Sequence, residues 1–314
     1  MLDVHRLRLL REVARRGSFS AAAQALSYTP SAVSQQIATL EREAGARLVE
    51  RGPRGVTLTA PGRILVDRAE DVFRGLAAAE RELREYAEMR SGLLRLGWFA
   101  TAGTTLIPWA IAEFRGIAPG VRLDLFEGDP DQCVPRLLAR EDELALVYRF
   151  EHEPPLDPAL EQIELFDDQL HIGLPPGHRL AGRDRLTLAD LAEDPWIQGV
   201  REGSTLGVLP RACRLAGFEP VVALRTDDRM AVEGLVAAGV GIALFPRLTL
   251  PAVRPDIVIR PLEAGPDAEA LFRRVSIALP PGEYRSPAAL TMIDVLRRTC
   301  ARLSTEAARR LEGG

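Results

Sequence analysis

Apolar residues recur along the amino-terminal stretch at helical spacing, broken at intervals by caps and turns. Leu7, Leu10, Val13 and Ala14 mark one face of a helix over residues 3–16, which Gly17 ends. Ser18 is placed to cap a second helix, SFSAAAQAL, whose alanines let a neighbouring helix approach closely. After a break at Ser27-Tyr28, Thr29 supplies an N-cap and Pro30 the first helical position of a third helix that reaches about Glu43. There Val33, Ile37 and Leu40 form a narrow apolar stripe, and the other face is short and uncharged. Two short helices joined by a tight turn, after an introductory helix, form a helix-turn-helix.

Residues 47–60, RLVERGPRGVTLTA, place turn signals between two short extended runs, which predicts a β-hairpin wing carrying Arg51 and Arg54. From Pro61 to about Arg90 the chain reads as one long helix with a seam of Leu65, Val72, Leu76, Leu83 and Tyr86. A lone helix cannot bury such a seam, so pairing with a second copy is expected; packing on its own body is the plainer alternative. After Ser91-Gly92, short apolar runs such as LLRLGW, ELALVY, IELF and QLHIGLP alternate with helical stretches, the pattern of parallel βαβ units. Roughly 220 residues suits two lobes rather than one sheet, with ELALVYRF and DIVIRPLEAG as the segments where the chain crosses over and returns.

The expected layout is a multidomain α plus α/β protein. It comprises a winged helix-turn-helix at 1–60, a linker helix at 61–90, an effector domain at 91–304 and a disordered tail at 305–314. Lobe I takes 91–162 and 264–304, and lobe II takes 163–263.

Charge sharpens this division. The net charge of -4 conceals ten arginines against five acidic residues in positions 1–63, so a basic head is joined to an acidic body. That is the footprint of a module that meets phosphates, although an unevenly charged solvated surface has the same signature. The first residues are too charged for a signal peptide, and no apolar run approaches the ~18 residues of a membrane span. A cytoplasmic, nucleoid-associated protein with no membrane partner is expected. Cys133, Cys213 and Cys300 are odd in number and never in CxxC spacing, against a disulfide framework or a zinc site.

On the third helix, the inward stripe leaves Ser31, Ser34, Gln35, Ala38 and Arg42 facing out, the arrangement of a recognition helix entering a major groove. Small side chains permit close approach, Gln35 can bond an adenine edge in bidentate fashion, and Ala32 or Ala38 can meet a thymine methyl. The helix starts at Ser18 and at Thr29-Pro30 favour phosphates, and Arg51 and Arg54 suit backbone or minor groove. A merely solvated Gln35 is the competing reading.

In the body, a cleft where strand ends and helix starts converge is the expected ligand site. Thr101, Ala102, Thr104, Ser204 and Thr205 at such turns, with Arg149 or Arg201, suit an anion, and Trp98, Phe99, Tyr148 and Phe245 suit an apolar or aromatic body. The same Ser and Thr residues are equally ordinary N-caps. Gly239 and Gly241 lack the third glycine of a dinucleotide loop, and the four histidines lack metal spacing. Asp167-Asp168 and Asp227-Asp228 read as turn and cap residues. No metal, no cofactor and no catalysis are expected.

Taken together, LRLLREVARRGSFSAAAQAL, SYTPSAVSQQIATLEREAGARLVER, GVTLTAPG, LRLGWFATAGTTLIPWAIAEFRGIAPGVRLDLFEG and GFEPVVALRTDDRMAVEGLVAAGVGIALFPR resemble the LysR-type transcriptional regulators over essentially the whole chain. The resemblance implies a winged helix-turn-helix, a dimerising linker helix and a two-lobed domain like type 2 periplasmic-binding proteins. It also implies a regulator of operator DNA with two-fold symmetry, answering to a small-molecule effector and assembled as a homodimer or homotetramer, with RNA polymerase as a further partner. Gln35 stands where the family often has arginine or lysine, and Val49 where it often has phenylalanine. The competing classes are an effector-independent DNA-binding protein, an enzyme on an α/β scaffold and a solute receptor. A missing nucleophile-base pair, phosphate loop and metal set weigh against the enzyme, and the basic head without a signal peptide against the receptor.

Overall fold

The computed structural model describes residues 1–52, 55–200, 205–263 and 271–312. It divides into two compact units, Met1–Glu85 and Tyr86–Gly314.

In the first unit, Asp3 caps α1 (Val4–Arg16) by accepting the N–H of Arg6 at 3.1 Å, and Gly17 ends it in the left-handed conformation. The helices α2 (Phe19–Ala25) and α3 (Pro30–Ala44) follow, joined by a four-residue turn in which Ser27 takes a positive φ. Leu10, Val13, Ala23, Val33, Ile37 and Leu40 close over one core. Complete burial of a side chain such as Ile37 or Leu40 contributes about 1.5–3 kcal/mol.

The wing strands β1 (Val49–Gly52) and β2 (Gly55–Leu58) are antiparallel. Gly55 is required there: its φ is +115° and a Cβ would lie 2.5 Å from the Gly17 carbonyl oxygen, which accepts the N–H of Val56 at 2.8 Å. The long helix α4 (Ala60–Ala87) starts on a cap from Thr59, which accepts the N–H of Gly62 at 3.1 Å. Leu65, Val66, Ala69 and Phe73 pack on the core, whereas Val72, Leu76 and Leu83 are 43, 46 and 70% exposed. Of the five seam residues read from the sequence, Leu65 packs on this core, while Val72, Leu76, Leu83 and Tyr86 are exposed.

The second unit begins with β3 (Leu93–Trp98), a 3-10 turn at Ala100–Thr104, α5 (Leu106–Ile117), β4 (Arg122–Glu127), α6 (Pro130–Leu138) and β5 (Leu144–Phe150). It continues through β6 (Glu161–Leu174), β7 (Pro195–Gln198), α7 (Thr205–Leu215), β8 (Val221–Arg225) and α8 (Arg229–Ala237). It ends with β9 (Ala243–Pro246), a 3-10 segment at Arg247–Ala252, β10 (Val258–Pro261), β11 (Phe272–Leu279) and α9 (Pro287–Glu312). One sheet runs β10-β6-β11-β5-β3-β4, with β9 also paired to β6, and β7 and β8 form a separate parallel pair.

Four expectations are corrected. The sheet is mixed: β3, β4 and β5 are parallel, but β6 and β11 run antiparallel to their neighbours. The crossing is made by β6 rather than by ELALVYRF, since β5 stays paired with β3 and β11, while the far half of β6 pairs with β9 and β10. The runs IELF and QLHIGLP are one 14-residue strand, and Asp167-Asp168 between them is strand, not turn, because Asp168 is neutralised from the neighbouring strand. Fourth, residues 305–312 belong to α9 and not to a disordered tail, because Ala307 buries against the cluster around Phe245 and Ile259.

Candidate functional site

Two regions carry candidate chemistry, and each is built by its own unit. In the first, Thr29 accepts the N–H of Ala32 at 3.2 Å, fixing the start of α3, and Ser31, Gln35, Ala38 and Arg42 form an exposed stripe along it. The Gln35 backbone carbonyl accepts the hydroxyl of Thr39 at 3.0 Å, which in turn accepts Arg42 Nη2 at 2.9 Å, and the Gln35 side chain is exposed. Ser34 is half-buried and accepts Arg51 Nη2 at 2.6 Å. The Arg51 guanidinium also lies 4.8 Å over the ring of Phe19, so a wing residue is brought onto the recognition helix. Ser18 caps α2 through the N–H of Ala21 at 3.4 Å, and Arg54 lies outside the described residues. Gln36, between these positions, is spent inside the unit on Arg6 Nε at 3.0 Å.

In the second unit, a cleft of about 380 Å³ is lined from lobe I by Phe99, Thr101, Asp129 and Tyr148, and from lobe II by Gln198, Thr226, Arg229 and Phe245. Its floor is Arg273 on β11, only 5% exposed. The register sets Arg273 opposite Asp168 on β6, whose Oδ2 accepts Nε at 3.0 Å and Nη2 at 2.9 Å. Arg273 Nη2 also donates to the Thr101 hydroxyl at 2.7 Å, and the guanidinium lies 4.8 Å over Phe99 and 4.6 Å over Tyr148. Asp168 Oδ1 accepts the N–H of Leu248, which ties the crossover strand to lobe II. Burial pushes the Asp168 carboxyl above its ordinary value, against the pull of Arg273 and the Leu248 N–H.

Arg229 at the start of α8 pairs with Glu233 at 2.8 Å, and burial lowers its guanidinium below the usual range. Tyr148 donates to Asp129 at 3.3 Å, and burial raises its phenol. Each cleft arginine is therefore matched by a carboxylate, and the floor is polarised rather than strongly cationic. Arg273 Nη1 has no hydrogen-bond acceptor among the described residues.

The sequence-derived set divides accordingly. Phe99, Thr101, Tyr148 and Phe245 meet at the cleft. Ala102 is wholly buried, and the Thr104 hydroxyl donates to the Thr101 carbonyl at 2.8 Å. Arg149 leaves β5 on the other side from Tyr148 and donates to the carbonyls of Phe150, Glu151 and Glu153, so it closes a loop instead of meeting a ligand. Arg201 and Ser204 lie outside the described residues, and Thr205 opens α7. Sequence reasoning missed Arg273, Asp168 and Arg229. A charge inside each of two apolar runs, at Asp168 and Arg273, was the available signal.

The fold and both sites now stand beside known proteins. Residues 4–63 match the model of the bacterial regulatory helix-turn-helix protein, lysR family, and residues 87–301 match that of the LysR substrate binding domain. The chain belongs to the LysR family. It is a DNA-binding transcriptional regulator with an effector-binding domain. A similar LysR-type relative is the SDS degradation transcriptional activation protein of Pseudomonas sp. (strain ATCC 19151), 33% identical over 95% of this chain and 92% of that protein. The transcriptional dual regulator GltC of Bacillus subtilis is 29% identical over 92% of this chain and 94% of its own. Among solved structures, full-length OxyR from Pseudomonas aeruginosa superposes with a TM-score of 0.75 at 21% identity, over 96% of this chain and all of that one. Full-length CbnR complexed with its target DNA gives 0.66 at 22% identity, over 95% of this chain and all of that one.

Two features set limits on the chemistry within the family fold. The three cysteines are buried, and burial pushes each thiol up to about 12, so none is poised as a thiolate. Among the described residues no helix is long and apolar enough to cross a membrane.

Proposed function

We propose that this LysR-family regulator reads its operator through Ser31, Ser34, Gln35, Ala38 and Arg42 of α3, with Arg51 anchoring the approach. The exposed stripe on a capped helix start carries this reading: small residues admit the helix to the groove, and Gln35 offers a paired donor and acceptor to an adenine edge. The N–H groups of the first turn of α3 favour a phosphate. The exposed Val72, Leu76 and Leu83 of α4 support a homodimer, and hence operator half-sites with two-fold symmetry. Tetramer formation and contact with RNA polymerase belong to the same proposal.

The effector is a small organic anion with an apolar or aromatic body. Its acidic group meets Arg273 Nη1, and its body lies among Phe99, Tyr148 and Phe245. A relative named for degradation of SDS, an apolar chain with an anionic head, supports that class. Effector binding shifts the population between two arrangements of the lobes and so of the DNA-binding heads.

The experiment is gel-shift binding to genomic fragments selected by the purified protein, against scrambled DNA of equal length. Gln35→Ala is expected to lose about 1–3 kcal/mol of discrimination while keeping most non-specific affinity. Equal losses on both DNAs sink the assignment of Gln35.

A further inference from the structure

The effector unit has a second cavity, of about 560 Å³, away from Arg273. It is lined by Gln169 and His171 of β6, by Arg185 and Glu263, by Arg247 just after β9, and by Leu311 of α9. It shares its strands with the cleft: Leu170 and Pro246 line the first, and their neighbours His171 and Arg247 line the second.

Two side chains here each keep a polar atom without a hydrogen-bond partner among the described residues. His171 is 2% exposed, and its Nδ1 lies 3.1 Å from the carbonyl oxygen of Gln169. A carbonyl only accepts, so Nδ1 carries the proton and Nε2 keeps a lone pair. Burial, and then the nearby Arg247, lower the imidazole below its ordinary value, which keeps the ring neutral at pH 7. Arg247 donates Nη2 to the Ser304 carbonyl at 3.2 Å, but its Nε is buried and unpaired. That Nε is closed to solvent and out of a ligand's reach, but Nη1 of the same guanidinium has no acceptor among the described residues and is not closed off. Arg185 pairs with Glu263 at 3.4 Å with most of its side chain exposed, so it can turn inward without breaking a buried contact.

We propose that this second cavity binds a phosphate-type oxyanion, with its ionised oxygen on Arg247 and its remaining hydroxyl donated to Nε2 of His171. One fixed cation beside one lone pair asks for a ligand that carries a negative oxygen and an O–H on the same centre. Hydrogen phosphate has both at neutral pH; sulfate and simple carboxylates have only acceptors there. The proposal stands apart from the effector reading, because the cleft residues make no contribution to it.

The test is calorimetric titration of the full chain with inorganic phosphate and, separately, with sulfate, alongside NMR of the histidine rings. Saturable phosphate binding is expected, with sulfate weaker by roughly tenfold and Arg247→Gln reducing phosphate affinity by a similar factor. Arg185→Gln, at an exposed side chain, is expected to fold normally and to weaken phosphate several-fold, which decides the matter if Arg247→Gln does not fold. The His171 resonance should move on addition of phosphate while those of His5, His152 and His178 hold still. No saturation, equal affinity for sulfate, unchanged affinity in both variants, or a shift confined to His5 in the DNA-binding head would each overturn the proposal.

Discussion

Glu12 in the head and Asp168 in the effector unit are both inward-turned carboxylates held by arginine, but the chain brings the partners together in opposite ways. Glu12 is bound by Arg15 and Arg16, three and four residues along α1, whose side chains stay 67 and 37% exposed. Asp168 is wholly buried, and its partner Arg273, itself nearly so, is 105 residues away on a neighbouring strand. The first pair follows from helical spacing and needs no tertiary structure. The second exists only once β6 and β11 are in register, and it then joins the crossover strand, the Thr101 turn and Leu248 into one network. Proximity in sequence makes the first legible and cheap; burial makes the second costly to form and costlier to break.

The largest expected effect breaks the buried pair on one side. Arg273→Met leaves the wholly buried Asp168 without its cation beneath the cleft, and should cost about 3–5 kcal/mol in denaturant unfolding of the effector unit. Asp168→Leu combined with Arg273→Met removes both charges and is expected to recover much of that loss. A single variant as stable as the parent would mean that water reaches Asp168 and that the pair does not hold the crossover strand.

The same contrast explains what the sequence revealed. Every element of the head was readable because its determinants lie within a few residues: Thr29 before Pro30, Gly17 after the first helix, the period of Val33, Ile37 and Leu40. The effector unit yielded most of its strands and most of its aromatic cleft residues, but not the crossing, because Asp168 in mid-strand imitates a turn until its partner is known. Arg149 misled for a related reason. Alternation along β5 sends Tyr148 and Arg149 to opposite sides, and the side that faces the cleft is fixed by β3 and β11, not by the local sequence.

A local interaction should have a local and smaller cost. Thr29→Ala removes the acceptor of the Ala32 N–H at the start of α3 and should cost about 1 kcal/mol in the unfolding of the head. Because the effector unit does not depend on this cap, its unfolding transition should stay where it was. If both transitions move together, the two units unfold as one, and the division drawn between local and long-range stabilisation is wrong.

The smallest effect is a change of slope with pH. Arg15 and then Arg16 hold the Glu12 carboxyl at about 2, well below its ordinary 4.5. A carboxylate depressed by folding stabilises the protein above its unfolded value, and that stabilisation is lost as pH falls from about 4.5 through about 2. Glu12→Gln should therefore flatten this stretch of the head's stability profile and leave the profile above pH 5 parallel to the parent's. Both arginines are largely solvated, so the difference should also shrink at high salt. A difference that persists unchanged in high salt would place Glu12 with Asp168, as a carboxylate held by burial rather than by its neighbours along the helix.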